Sequence, residues 1–286
     1  MKLWAISDLH VGYPENRAAL QRITPRPRDW LIIAGDVGET FSQLGEVFGL
    51  LGERFAKLVW VPGNHELWSH PSCDNKARGV RRYLALVELC RTHGVLTPED
   101  PWPLWPGDDQ LAICPLFVGF DYSFCPDGMS PAQARAWAAE HGIVSADERF
   151  LDPEPHPSLD AWCRDRVETT RRRLDELPGH IDTVLIHHWP LRADLVRLPS
   201  VPRFSPWCGT RATEDWHLRY RARVVVNGHL HMRATDWRDH VRFEEVAIGY
   251  PRHWKVERGI DSYLREIVPG TIKTPPSGQG GPRWHR

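Results

Sequence analysis

The chain has 286 residues, 41% hydrophobic and 26% charged, an ordinary balance for a globular protein able to bury one large core. Its 36 basic and 37 acidic side chains leave a formal charge of −1, without the basic excess of a duplex nucleic-acid binder, so nucleic acid is not an expected partner. Six cysteines (Cys73, Cys90, Cys114, Cys125, Cys163, Cys208) form no CxxC pair, no basic-then-apolar leader opens the chain, and no apolar run approaches the roughly 20 residues of a membrane helix; together these predict a cytoplasmic protein with reduced thiols and no membrane partner.

In chain order, apolar runs predict strands over residues 3–6, 30–34 and 58–61, and helical spacing predicts helices over 15–23, 41–55 and 77–92. This alternation argues for an α/β fold with a mainly parallel, buried sheet. Residues 98–106 are crowded with Pro and Trp, 111–118 read as a strand, and 122–158 carry many Pro, Asp and Ala. The span from about 98 to 160 is therefore expected to hold an inserted lid. A charged helix follows over 161–177, ended by Pro178-Gly179, then strands over 183–186 and 224–226 and a hairpin over 237–246. The domain is expected to occupy 1–268, and the Pro- and Gly-rich residues 269–286 to form a flexible tail.

Five polar motifs each follow a predicted strand: Asp8-Leu9-His10, Gly35-Asp36, Gly63-Asn64-His65-Glu66, His187-His188-Trp189-Pro190 and Gly228-His229-Leu230-His231. Open α/β sheets bind ligands outside the carboxyl ends of their strands, so residues far apart in sequence are predicted to share one rim. Imidazoles, carboxylates and one amide oxygen suit borderline ions such as Mn, Fe or Zn. In both Asp8/His10 and His229/His231 a one-residue spacer lies on a loop, where the pair can splay toward two metals. Singly these signals are weak: among 15 histidines, His93, His141, His156 and His180 read as surface or loop residues. Five motifs in order, all at strand ends, carry the reading.

The ordered set resembles the calcineurin-like metallophosphoesterase superfamily across residues 3–231. The resemblance implies a four-layer α/β/β/α sandwich and two metal ions. Asp8, His10 and His231 would hold the first ion, Asp36 would bridge, and Asn64, His229 and a histidine of the fourth motif would hold the second. The family's His-x-Pro selects His188, with the adjacent His187 left as an open alternative. The ions, about 3.5–4 Å apart, would supply a bridging hydroxide for in-line attack on phosphorus. His65 matches the catalytic histidine, a general acid for the leaving alkoxide near pH 7. Glu66 reads as structural.

Gly35-Asp36-Val37-Gly38-Glu39 departs from the GDxVDRG of Ser/Thr protein phosphatases, which argues against that branch. Longer strings at 55–68, 121–124, 204–220 and 241–252 resemble the phosphopantetheinyl hydrolases, which cleave the phosphodiester joining 4′-phosphopantetheine to a serine of acyl carrier protein. The implied substrate is holo acyl carrier protein, an acidic partner. Arg203, Arg211, Arg219, Arg221 and Arg223 could steer it, although a solvated face explains them equally well. Arg203, Trp207, Arg211 and Trp216 are the expected substrate-binding residues and Trp189 a further candidate, while core packing explains most of the 14 tryptophans. Two alternatives stand beside this: a nucleotide or other small-molecule phosphodiesterase or phosphomonoesterase whose Arg–Trp segment grips the substrate, and a non-catalytic metal-bound scaffold, which an intact His65 and a full ligand set disfavour.

Overall fold

The computed structural model describes residues 1–71, 73–270 and 282–285. Its strands are β1 (Leu3–Ile6), β2 (Arg26–Ile33), β3 (Phe55–Trp60), β4 (Leu104–Trp105), β5 (Asp108–Pro115), β6 (Asp182–Ile186), β7 (Ala222–Asn227), β8 (Ala234–Arg238), β9 (Val241–Glu245), β10 (Arg265–Val268) and β11 (Arg283–Trp284). The α-helices are α1 (Pro14–Leu20), α2 (Phe41–Gly52), α3 (Asn64–Leu67), α4 (Gly79–Thr92), α5 (Pro131–Ala139), α6 (Asp147–Phe150), α7 (Leu159–Asp175) and α8 (Trp216–Arg219).

The strands form two sheets, one in the order β10-β1-β2-β3 and the other β11-β8-β9-β7-β6-β5-β4. β1, β2 and β3 run parallel, as do β5, β6, β7 and β9, with antiparallel strands at the edges. Alternating side chains sort onto two faces. Leu3, Ala5, Ile32 and Val59 of the first sheet meet Ile113, Val184, Ile186, Val224 and Val226 of the second in an apolar inter-sheet layer. The intervening residues Leu31, Ile33, Leu58 and Trp60 pack outward against Leu44 and Phe48 of α2 and Leu86 and Val87 of α4. On the far side, Cys114, Leu185, Val225 and Phe243 meet Leu174 of α7 and Trp216 of α8. Burial on both faces explains why the central strands read as continuous apolar runs. Each fully buried aliphatic side chain contributes about 1.5–3 kcal/mol. The result is the expected α/β/β/α sandwich.

Two expectations are corrected. The span from 98 to 160 is not one insertion: β4 and β5 belong to the second sheet, and the excursion proper lies between β5 and α7, carrying α5 and α6. Of the expected tail, residues 271–281 and 286 lie outside the described residues, but Arg283 and Trp284 pair with Thr235 and Ala234 of β8. An edge strand exposes unpaired backbone groups that a short segment can satisfy. Among the described residues, no helix is long and apolar enough to cross a membrane.

The two sheets are stitched together at the carboxyl ends of their parallel strands. After β9 the chain crosses to β1, where Ser7 N–H donates to Val246 O at 3.1 Å and Ile248 N–H donates to Ser7 O at 3.0 Å. The rims of both sheets thus become one surface.

Candidate metal centre

All five motifs open onto that rim. Asp8, His10, Asp36, His229 and His231 have φ of 53°, 40°, 53°, 72° and 53°, in the left-handed region that non-glycine residues seldom adopt. Backbone strain of this kind persists where the surroundings over-determine it. Here Asp8 N–H donates to Gly35 O (2.9 Å) and His10 N–H to Asp36 O (3.0 Å), and this ladder holds the two loops side by side. Gly35 and Gly228 permit the close approach: a Cβ on Gly35 would lie 2.5 Å from His188 Nδ1, and one on Gly228 would lie 2.3 Å from Asp8 Oδ2.

One group of ligand atoms comes from Asp8, His10, Asp36 and His231, all within 4.8 Å of one another. His231 Nε2 lies 3.0 Å from Asp8 Oδ1 and 3.2 Å from His10 Nε2. A second group adjoins it: His188 Nε2 is 3.2 Å from Asn64 Oδ1, 3.3 Å from His229 Nδ1 and 3.5 Å from Asp36 Oδ2. Asp36 Oδ2 also lies 3.9 Å from His10 Nε2, so its carboxylate faces both groups.

The choice between the adjacent histidines is physical. His187 Nε2 accepts from Val118 N–H (3.1 Å), so Nδ1 carries the proton and donates to Trp189 O (2.8 Å). Both nitrogens are committed to backbone, and burial pushes its pKa down to about 3. His188 donates from Nδ1 to Ala34 O (2.8 Å) and aims Nε2 at Asp36 and Asn64.

The donor set fits a cation. Burial, then His65, pushes His10 well below the ordinary imidazole value; burial, then His188, does the same to His229. Burial holds His188 down at about 4. These rings are neutral, with lone pairs converging on one space. Burial, with the charges of Asp8 and Glu66, raises Asp36 well above the usual carboxylate range. Burial also acts to raise Asp8, but His231 outweighs it and Asp8 is held low, while Asp8 in turn lifts His231 against the effect of burial. Crowded carboxylates among neutral imidazoles are what divalent ions satisfy.

Several supporting residues carried no signal in the sequence. Asn64 Nδ2 donates to Asp147 Oδ1 at 3.0 Å, which turns Asn64 Oδ1 toward His188. The same Asp147 oxygen accepts from Trp68 Nε1 at 2.7 Å, and Trp68 lies against the His65 ring at 3.8 Å. Asp147 is fully buried on α6, so the excursion between β5 and α7 supports the second ligand group. Nothing local marks that aspartate in the sequence. Glu39 accepts from His65 Nδ1 at 3.2 Å, and this hydrogen bond holds Glu39 below the usual carboxylate range. Its one sequence signal is its position three residues after Asp36. Glu66, read from sequence only as structural, clamps two loops: Oε2 accepts from Asp36 N–H and Gly63 N–H, both at 3.0 Å, and Oε1 from Val37 N–H at 2.8 Å.

The centre forms the floor of a cavity of about 690 Å³. Its walls include Trp68, Ser145, Leu198, Val201, Phe204, Met232, Tyr250 and Arg252. Arg203, Trp207, Arg211 and Trp216, read from sequence as substrate-binding, are not on this wall. Arg203 pairs with Glu140 and Trp137 O; Arg211 is bonded to the 123–125 backbone and pairs with Asp127 and Glu214. Trp207 is buried with its Nε1 on Glu148, and Trp216 packs beneath the second sheet. Trp189 is buried against His188 and His229. Packing and ion pairing engage these side chains, while Phe204 of the same segment lines the cavity.

The model of the calcineurin-like phosphoesterase family matches residues 1–233. The chain belongs to that family. This makes it a metal-dependent phosphoric ester hydrolase, and the family implies a pair of divalent ions at this centre. A curated relative from Mycobacterium tuberculosis, named acyl-carrier-protein phosphodiesterase PptH, is 47% identical over 270 residues, 93% of this chain and 83% of its own. The crystal structure of phosphopantetheinyl hydrolase (PptH) from the same organism superposes with a TM-score of 0.90 at 45% identity, covering 96% of this chain and 98% of that one. A Thermus thermophilus structure is far more distant, with a TM-score of 0.44 and 13% identity over 86% of this chain and 88% of its own.

Proposed function

We propose that this chain cleaves the phosphodiester between 4′-phosphopantetheine and the serine of holo acyl carrier protein. The observation that carries the reading is the 47% identity, spanning 93% of the chain, to a relative named for action on that carrier. The cavity is compatible, because its partly apolar wall beside the ligand groups suits a neutral amide chain joined to a phosphate.

Asp8, His10 and His231 would hold one ion, Asn64, His188 and His229 the other, and Asp36 both; the nitrogen- and oxygen-rich set suits Mn, Fe or Zn. When bound, such a pair supplies a water of lowered pKa and neutralises phosphate charge. The remaining roles belong to side chains. Glu39 holds His65 by Nδ1, which leaves Nε2 facing the centre, 3.9 Å from Asp36 Oδ2. Nε2 is thereby placed to deliver a proton to the departing serine oxygen. Trp68 covers one face of His65 and limits its motion.

Mass spectrometry of holo carrier protein incubated with the Mn²⁺-loaded chain tests this. Loss of the arm is expected; an unchanged mass alongside turnover of an aryl phosphodiester would overturn it.

A further inference from the structure

A phosphodiester has two arms, and the space around the centre has two unlike sides. On one side Val144 of the excursion lines the cavity together with Leu198, Pro199, Val201, Phe204, Leu230 and Met232, an apolar set. On the other, a second cavity of about 330 Å³ shares His231, Met232, Arg252 and His253 with the first and continues past Trp254 and Lys255. No carboxylate lines this second cavity among the described residues.

Arg252 and Lys255 are both exposed, and neither makes an ion pair among the described residues. Arg252 is tied to the centre through its neighbours. Its Nε donates to His253 Nε2 at 3.1 Å, which leaves the terminal nitrogens of the guanidinium at the lip. The guanidinium lies over the Tyr250 ring at 5.3 Å, and Tyr250 packs on His10 at 4.6 Å and on His231 at 4.9 Å. Arg233, which also borders this cavity, is buried and donates to Ala247 O, Tyr263 O and His285 O, so its donors are committed inward. The arginines of the 203–223 segment behave differently from Arg252 and Lys255. Arg219 pairs with Asp175, Arg223 with Asp108 and Asp182, and Arg221 donates to the carbonyls of Ile181 and Pro178.

Resting on the carrier-protein reading, we infer that the cavity sorts the two arms of the diester. The apolar side receives the neutral pantetheine chain. The open lip of Arg252 and Lys255 receives an acidic face of the folded protein that bears the serine. Two arguments set this direction. The apolar lining suits a neutral chain and offers an acidic domain no cation to meet. Unpaired cations at the mouth of a low-dielectric cleft also raise the local concentration of an acidic partner, which uncharged or paired side chains do not.

The test compares two substrates of the Mn²⁺-loaded full chain: holo carrier protein, and a short neutral peptide with a phosphopantetheinyl serine. Lys255→Glu is expected to raise KM for the carrier protein about tenfold at low salt with kcat little changed. The peptide's kcat/KM is expected to move by less than about twofold. Lys255→Ala should act in the same direction but less, and raising NaCl from about 50 to about 500 mM should shrink both effects. Val201→Asp, on the apolar wall, should impair both substrates alike. Equal effects of Lys255→Glu on the two substrates, or no effect on the carrier protein, overturn the assignment while leaving the carrier-protein reading standing. Release of the arm from neither substrate by the unaltered chain overturns that reading, and the assignment falls with it.

Discussion

The floor and the wall of the active cavity are built by different rules. On the floor, Asp8, His10, Asp36, His229 and His231 sit in left-handed backbone within tight loops, the first three buried and the last two partly so. On the wall, the lining comes from segments remote from the motifs: residues 144–146 of the excursion, 198–204, and 250–253. A floor residue is fixed by its own strand and loop. A wall residue is placed by how separate segments fold back over the rim. The contrast explains why binding chemistry is dense in short motifs while the substrate-facing surface has no comparable signature.

The largest effect should come from the floor. Chelation should abolish turnover, with Mn²⁺ restoring it. Asp36→Ala should strip both ions, read as metal per chain by mass spectrometry, and lower kcat by on the order of 10³-fold or more, since water activation and phosphate neutralisation both depend on the pair. Retention of two ions in that variant would deny Asp36 its shared place.

His65→Ala should lower kcat about 10²–10⁴-fold, the usual range for a lost general acid, while two metals remain bound. A parallel loss of metal would make His65 a structural part of the floor and remove it from proton transfer.

Asp147 joins wall to floor, and its removal sharpens the boundary. Asp147→Ala frees the Asn64 amide to rotate, so affinity for one of the two ions should fall about 10–100-fold, seen as biphasic Mn²⁺ titration. Asp147→Asn should lie between the variant and the parent. Uniform weakening of both ions would indicate general loosening of the excursion.

The smallest effect is expected at the arginine-rich segment. Arg219→Ala breaks a half-exposed pair with Asp175 and should cost about 0–1 kcal/mol of stability, with KM for carrier protein moving less than about twofold. A rise in KM matching that of Lys255→Glu would erase the distinction between the two arginine-bearing surfaces.

Much of the floor is legible in the amino-acid sequence. Strand-then-motif order is enough to predict a shared rim, because parallel strands present their carboxyl ends together. Glu66 reads as structural from the same motif, and its three backbone hydrogen bonds show how it clamps two loops. The wall is not legible in that way. Arg203 and Arg211 look available in sequence because their acidic partners, Glu140, Asp127 and Glu214, cannot be seen from spacing. Arg252 gives no comparable signal, standing as a lone cation at the end of Gly249-Tyr250-Pro251-Arg252.

By itself the sequence determined the layered α/β class, the five motifs and the types of ligand they offer, since local periodicity and residue chemistry are properties of short segments. Only the tertiary structure decided which of two adjacent histidines turns its nitrogen inward. It also decided that a buried aspartate from the excursion orients Asn64, and that Arg252 and Lys255 stand at the rim without an ion pair among the described residues. The first two depend on partners tens or hundreds of residues away, and such pairing is fixed when the two sheets and their connections close around a common core.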